Sequence, residues 1–157
     1  MLCPTDMSDT SNYAFNYAAS LANRYDAIIT VLHVLKNPLL TSENLVKNIL
    51  REKRWQEMLD QNETEVIEKV RLRLVNYCES TKAELSSCPF LMDEVIVKIG
   101  NPVQKILLEI DNNNYDLVIL SDNGQGALAD TVMGSVSRRV LRRSKASVLV
   151  VRLPEKE

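Results

Sequence analysis

The sequence predicts an α/β domain, a parallel sheet covered by helices on both faces, and three observations lead there. Short apolar runs rich in Val, Ile and Leu alternate with longer helix-patterned segments in the order β-α-β-α-β-α-β-α-β, which is how a doubly wound parallel sheet is threaded. The run Ala27–Val34 is apolar almost throughout, as a strand buried on both faces has to be. The stretch from Leu117 to Val136 reads as a strand, a glycine-bearing loop and the start of a helix. At 157 residues the chain has the length of one domain, residues 1–157, and can bury roughly 70% of its unfolded surface.

Met1–Pro4 reads as the end of a first strand, and Thr5–Thr10 as polar turn material with several candidate N-caps. Tyr13, Ala14, Tyr17, Ala18, Leu21 and Ala22 recur at helical spacing up to about Arg24. Leu35–Pro38 is a loop after the second strand. The segment from Ser42 to about Ala83 is charged, lacks Pro and Gly, and carries a stripe of Leu45, Ile49, Ile67, Val70, Leu74, Tyr77 and Cys78. About forty residues is long for one globular helix. Two helices, breaking at Asp60–Asn62, or one helix that overhangs the core are therefore expected. Val95–Ile99 is the third strand, and Pro102 opens a helix whose buried stripe is Val103, Ile106, Leu107 and Ile110. Asn112–Asn114 stops it. Leu117–Leu120, Ser135–Arg143 and Ser147–Arg152 complete the pattern as strand, helix and strand.

The net charge is −2 and the pI about 5.5, which argues against nucleic acid as the main partner. The longest apolar run falls far short of the ~20 residues that span a bilayer. With no secretory signal pattern at the start, a cytoplasmic protein without a membrane partner is expected. Cys3, Cys78 and Cys88 are odd in number and lack C-x-x-C spacing, so they read as reduced thiols.

The candidate site lies at the carboxyl ends of the strands, where open α/β sheets bind ligands. Gly124 sits just past the fourth strand, and nine residues later Gly134 and Ser135 open a helix. Glycines permit close backbone approach, and a helix N-terminus offers free N–H groups and the positive end of the dipole. A phosphate site and a plain turn fit this bare motif equally well. If the first strand is central, the turn of Pro4, Thr5 and Asp6 and the Gly124 loop face one crevice.

Taken together, these segments resemble the universal stress protein family along essentially the whole chain. Cys3 to Asp9 is similar to the family's first-strand signature of a small polar residue, Asp and Ser. Leu32, His33 and Val34 match the end of its second strand. Gly124, the nine-residue gap, Gly134, Ser135 and Val136 match its G-x2-G-x9-G-[ST] nucleotide motif. The resemblance implies a five-stranded parallel sheet of order 3-2-1-4-5, Rossmann-like and akin to adenine nucleotide alpha hydrolases. It also implies an adenine-nucleotide binding module, taking ATP, ADP or AMP, with Mg2+ or Mn2+, that acts in stress signalling through an unidentified protein partner. Asp6 and Val34 would then hold adenosine, Gly124, Gly134, Ser135 and Val136 the ribose and phosphates, and Pro4, Thr5, Ser121 and Asn123 would complete the cofactor-binding set. A homodimer through Ser147–Arg152 is expected on the same ground. The motif's first glycine is Ser121 here. If that position needs positive φ, serine is strained by an amount of order 1 kcal/mol. The alternative is a dimeric interaction protein of this fold whose crevice holds no nucleotide.

Other residues read as structural. His33 is the only histidine, with no ligand-spaced partner for a metal, so it is a core or strand-end residue. Ser135 lacks the base and orienting group of a nucleophile, and fits a cap or phosphate contact. Arg138, Arg139, Arg142 and Arg143 read as a solvated face suited to the helix C-terminus. Trp55 sits in a charged stretch and has no assigned role. With Asp6 the only evident general base, any ATP hydrolysis should be slow.

Overall fold

A computed structural model describes residues 1–36, 49–84, 91–122 and 133–154. Five strands form one parallel sheet of order β3-β2-β1-β4-β5, with β1 Leu2–Thr5, β2 Ile28–Leu35, β3 Leu91–Ile99, β4 Leu117–Ser121 and β5 Ser147–Val151. The connections are α1 Asp9–Tyr25, α2 Ile49–Glu84, α3 Pro102–Asn112 and α4 Ser135–Arg143.

Side chains alternate across a pleat, so each strand supplies two cores. Cys3, Ile29, Val31, Val95, Ile119 and Val151 point to one face and meet Ala14, Phe15, Ala18, Ala19 and Ala22 of α1 with Leu74 and Cys78 of α2. Leu2, Leu32, Val118 and Leu120 point to the other, under Val103, Ile106, Leu107 and Ile110 of α3 and Val140 of α4. This double burial is why the central strands read as unbroken apolar runs.

Helix α1 begins at Ser8, whose hydroxyl accepts from Ser11 N, and ends at Asp26, whose left-handed backbone (φ 51°) stops it. Helix α3 starts with Asn101 capping Gln104 N and Pro102 in the first turn. At its other end the buried Glu109 carboxylate pairs with Lys98 of β3. It also accepts from Asn113 Nδ2 at 2.8 Å and Tyr115 Oη at 3.0 Å. That set ties α3 to the β3 edge with no lone buried charge. Burial, together with this carboxylate, pushes the Tyr115 phenol up to about 12.

One open alternative is decided and two sequence expectations need correction. Helix α2 is continuous through Asp60–Asn62, a single 36-residue element. Asp and Asn are weak helix formers, but neither removes a backbone donor as proline would, and the flanking residues carry the helix across. Of the two alternatives the single helix is the one realised. At 1.5 Å per residue it spans about 54 Å, and its last third supplies Leu74, Cys78 and Thr81 to the interior. Its expected start at Ser42 lies outside the described residues. Strand β3 begins at Leu91, not Val95, because an edge strand needs only one buried face and tolerates Asp93 and Glu94. Asp93 is the extra residue of a bulge, since Ile29 pairs with Met92 and Thr30 with Glu94. Strand β5 closes at Val151, one residue before the expected Arg152.

The alanines of α1 let it lie close against β1 and β4: Ala14, Ala18 and Ala19 are fully buried. Ala18→Leu should overpack this contact and lower stability by about 1–3 kcal/mol in urea unfolding. An unchanged midpoint would mean that the helix–sheet spacing is set elsewhere.

Candidate functional site

The site is opened by a proline. Met1 O accepts from Thr30 N at 2.9 Å, so Met1, Cys3 and Thr5 direct their backbone groups to β2, while Leu2 and Pro4 direct theirs to β4. Leu2 pairs with Val118, but Pro4 has no N–H for the next rung, and the ladder between β1 and β4 stops at that single pair. The β1–β4 pairing is therefore confined to the start of β1. This is also where the sheet reverses direction, since the chain leaves β1 for β2 and β3 on one side and returns for β4 and β5 on the other.

On the β2 side the ladder ends at Thr5↔His33. His33 is buried, and its Nδ1 lies 2.7 Å from Thr5 O. A carbonyl only accepts, so Nδ1 carries the proton. His33 is thus the strand-end residue expected. The same alternation points the Val34 carbonyl toward β1, one rung past the last pair. The N–H that would meet it, Met7 N, instead donates to Thr5 Oγ1 at 3.0 Å. Met7 holds the turn with φ 62°. Asp6 lies in this turn: its Oδ1 accepts from Ser8 N at 3.1 Å and Ser8 Oγ at 2.6 Å. The Asp6 carboxylate is half-buried at the mouth of the crevice and helps cap α1.

On the far side stands α4. Ser121 is the last residue of β4 and is extended. Among the described residues Met7 and Asp26 are the non-glycine positions with positive φ, so the strain considered for Ser121 does not arise. Its carbonyl accepts from Ser137 Oγ at 2.6 Å, a buried bond that pins the first turn of α4 to the end of β4. Gly134 is the N-cap and makes no side-chain cap bond. Its own N–H donates to Asp122 O at 2.6 Å. With φ −54° and ψ 148°, Gly134 adopts a backbone open to any residue, so no special dihedral calls for glycine here. Ser135 and Val136 form the first turn behind it. Asn123 and Gly124 lie outside the described residues, as do Cys88 and the side chain of Trp55.

The crevice thus gathers Pro4, Thr5, Asp6, Val34, Ser121, Gly134, Ser135 and Val136 at one end of the sheet. Ser137 and Asp122 belong to it and were missed from sequence. The serine two residues past Ser135 was a usable signal, because a hydroxyl at the third position of a helix reaches the preceding strand. Arg138, Arg139, Arg142 and Arg143 are all exposed on the outer face of α4, as a solvated face requires.

A model of the universal stress protein family matches residues 1–152. The chain belongs to the universal stress protein family. A universal stress protein of Methanocaldococcus jannaschii is 25% identical over 152 residues, covering 97% of this chain and 93% of that protein. One from Bacillus subtilis is 28% identical and covers 97% of each. Among solved structures, UspA of Lactobacillus plantarum has a TM-score of 0.67 at 22% identity, covering 96% of this chain and 95% of its own. A universal stress protein in complex with cAMP (TM-score 0.60, 20% identity, 96% and 94% covered) shares the fold. So does an AMP-bound family protein of Arabidopsis thaliana (TM-score 0.56, 14% identity, 99% and 92% covered). The strand order implied by the family is the order found. No helix among the described residues is long and apolar enough to cross a membrane.

Cys3 of β1 and Cys78 of α2 in this universal stress protein are buried in the core shared with α1. Burial, with Cys78 nearby, pushes the Cys3 thiol up to about 12, and burial pushes Cys78 up to about 11. Neither is a thiolate at neutral pH. Alkylation of the native protein at pH 8 should leave both unmodified, and unfolding should expose them, as peptide mass spectrometry would read. Rapid native labelling of Cys3 would contradict this packing.

Proposed function

We propose that this family member binds an adenine nucleotide, ATP or its di- or monophosphate, in the crevice between the carboxyl ends of β1 and β4. The observation that carries the reading is the α4 N-terminus, which has no side-chain cap and stands where the β1–β4 ladder has stopped. Uncapped N–H groups at a positive dipole end favour a phosphate. Adenosine would lie across the turn, with the Val34 carbonyl available to accept from the adenine amine and Asp6 and the Pro4–Thr5 backbone beside the base and ribose. Ser121, Asn123, Gly124, Gly134, Ser135 and Val136 would surround ribose and phosphates. Two proteins of this fold hold cAMP and AMP, which supports an adenine nucleotide as the ligand class.

Among the described residues no group of three His, Cys, Asp or Glu side chains is placed to hold a metal ion. Mg2+ or Mn2+ would therefore arrive on the nucleotide, coordinated by phosphate oxygens and water. Asp6 Oδ1 already takes two donors from Ser8, which suits a positioning carboxylate better than a base for water. The protein acts as a binding module of a cytoplasmic stress response, passing nucleotide occupancy to a protein partner, and any turnover is slow. The engagement of Asp6 and Thr5 within their own turn favours the second reading, an interaction protein of the same fold with no nucleotide.

Gly134→Val is the direct test. Its backbone angles suit valine, so circular dichroism and melting should be preserved. The new side chain should block phosphate approach and weaken Mg-ATP binding by roughly tenfold or more in calorimetry, the worth of one or two charge-assisted hydrogen bonds. Equal affinity in both proteins would sink the nucleotide assignment.

Self-association is proposed through β5, an edge strand paired only with β4. Val148, Leu149 and Val150 are half-buried within one chain, and an unpaired edge of this kind is a template for a second copy related by a two-fold axis. Light scattering should give twice the 17.8 kDa chain mass. Val150→Pro removes a donor from the strand and should give monomer or aggregate. A wild-type mass of one chain would overturn the dimer.

A further inference from the structure

Asp122 is a buried carboxylate, 6% exposed, in the residue that follows β4. Its polar groups go to two places, the end of β5 and the cap of α4. The N–H donates to Val151 O of β5 at 2.9 Å, the C=O accepts from Gly134 N at 2.6 Å, and Oδ2 accepts from Arg152 Nε at 3.1 Å. Arg152 follows β5 and its side chain is 79% exposed. One hydrogen bond therefore separates the residue bearing this negative charge from the cap of α4, the terminus that would receive an anion. A bare carboxylate there repels phosphate, and a cation seated on it removes most of that repulsion. Among the described residues, Arg152 is the cation paired with Asp122, whereas the four arginines of α4 make no ion pair.

We propose that Arg152 sets the anion affinity of the α4 terminus by neutralising Asp122. It is a positioning residue that acts through another side chain, and the inference rests on the nucleotide reading above. The charge logic gives a pattern that a merely structural clamp does not. Removing the cation leaves Asp122 bare, so binding weakens. Removing both charges takes away the repulsion as well, so binding returns. Removing Asp122 alone leaves an extra cation, and binding is kept or strengthened. A structural clamp would instead be broken equally by all three changes.

The test compares wild type, Arg152→Gln, Arg152→Lys, Asp122→Asn and the Asp122→Asn/Arg152→Gln pair by calorimetry, at low and high ionic strength. Mg-ATP and inorganic tripolyphosphate are the two probes. Arg152 is exposed and Asn is isosteric with Asp, so every variant should fold, and melting curves verify it. Arg152→Gln should bind each probe roughly tenfold more weakly at low salt, with a smaller loss at high salt. Arg152→Lys should stay near wild type. The double variant should regain wild-type affinity within about threefold. Wild-type binding with no loss in Arg152→Gln, or a double variant as weak as Arg152→Gln, would overturn the inference and leave the nucleotide reading standing. Tripolyphosphate binding with the expected order but no ATP binding would overturn the nucleotide reading alone. Binding of neither probe would overturn both.

Discussion

The absence of one N–H, at Pro4, is the constraint on which the rest of the site depends. In a parallel sheet each residue directs both backbone groups to one neighbour, and Pro4 falls on the β4 side of β1. The ladder can hold β1 to β4 at Leu2 but not beyond. A central strand tolerates proline only where pairing is about to end. Here it ends where the sheet reverses direction, and the chain beyond it is free to turn away. The early stop of the β1–β4 ladder is a consequence of one missing donor in a four-residue strand.

The groups released at that point are mostly settled by local contacts. Thr5 Oγ1 accepts from Met7 N, Asp6 from Ser8, Ser8 Oγ from Ser11 N, and Thr5 O from His33 Nδ1. Across the gap, Ser137 holds Ser121 O, and Asp122 joins the ends of β4 and β5 to the α4 cap. These bonds are short in sequence or span adjacent elements, so they stiffen the rim without closing it. Against that background, the Val34 carbonyl and the first turn of α4 stand out as polar groups without a ladder rung or a side-chain cap.

Much of this was legible from sequence. The two-faced burial of Ile29, Val31 and Leu32 is written in their unbroken apolarity, and the helix limits at Pro102 and at Asn112–Asn114 in turn and cap residues. The turn of Pro4 and Asp6 followed from topology, Gly134 and Ser135 from a spaced motif, and Val34 from the family resemblance. The boundaries of β3 did not follow, because an exposed edge hides its pattern behind Asp93 and Glu94. Nor did the continuity of α2 through Asp60–Asn62, since weak helix formers in one local window do not reveal whether the flanking turns will carry them. Asp122 looked like a loop residue and proved to be a junction.

The sequence by itself determined the order of elements, the two cores and the chemistry that meets at the carboxyl end of the sheet. Those properties are carried by periodicity, by proline's missing donor and by glycine's missing side chain, all local and all readable in one dimension. Only the tertiary structure decided that Ser121 is unstrained, that Gly134 has ordinary dihedral angles, and that Arg152 sits on the charge of Asp122. Each of these depends on where a neighbouring strand or helix end lies in space. Residues 122 and 152 are thirty apart in the chain and touch only because β4 and β5 run side by side.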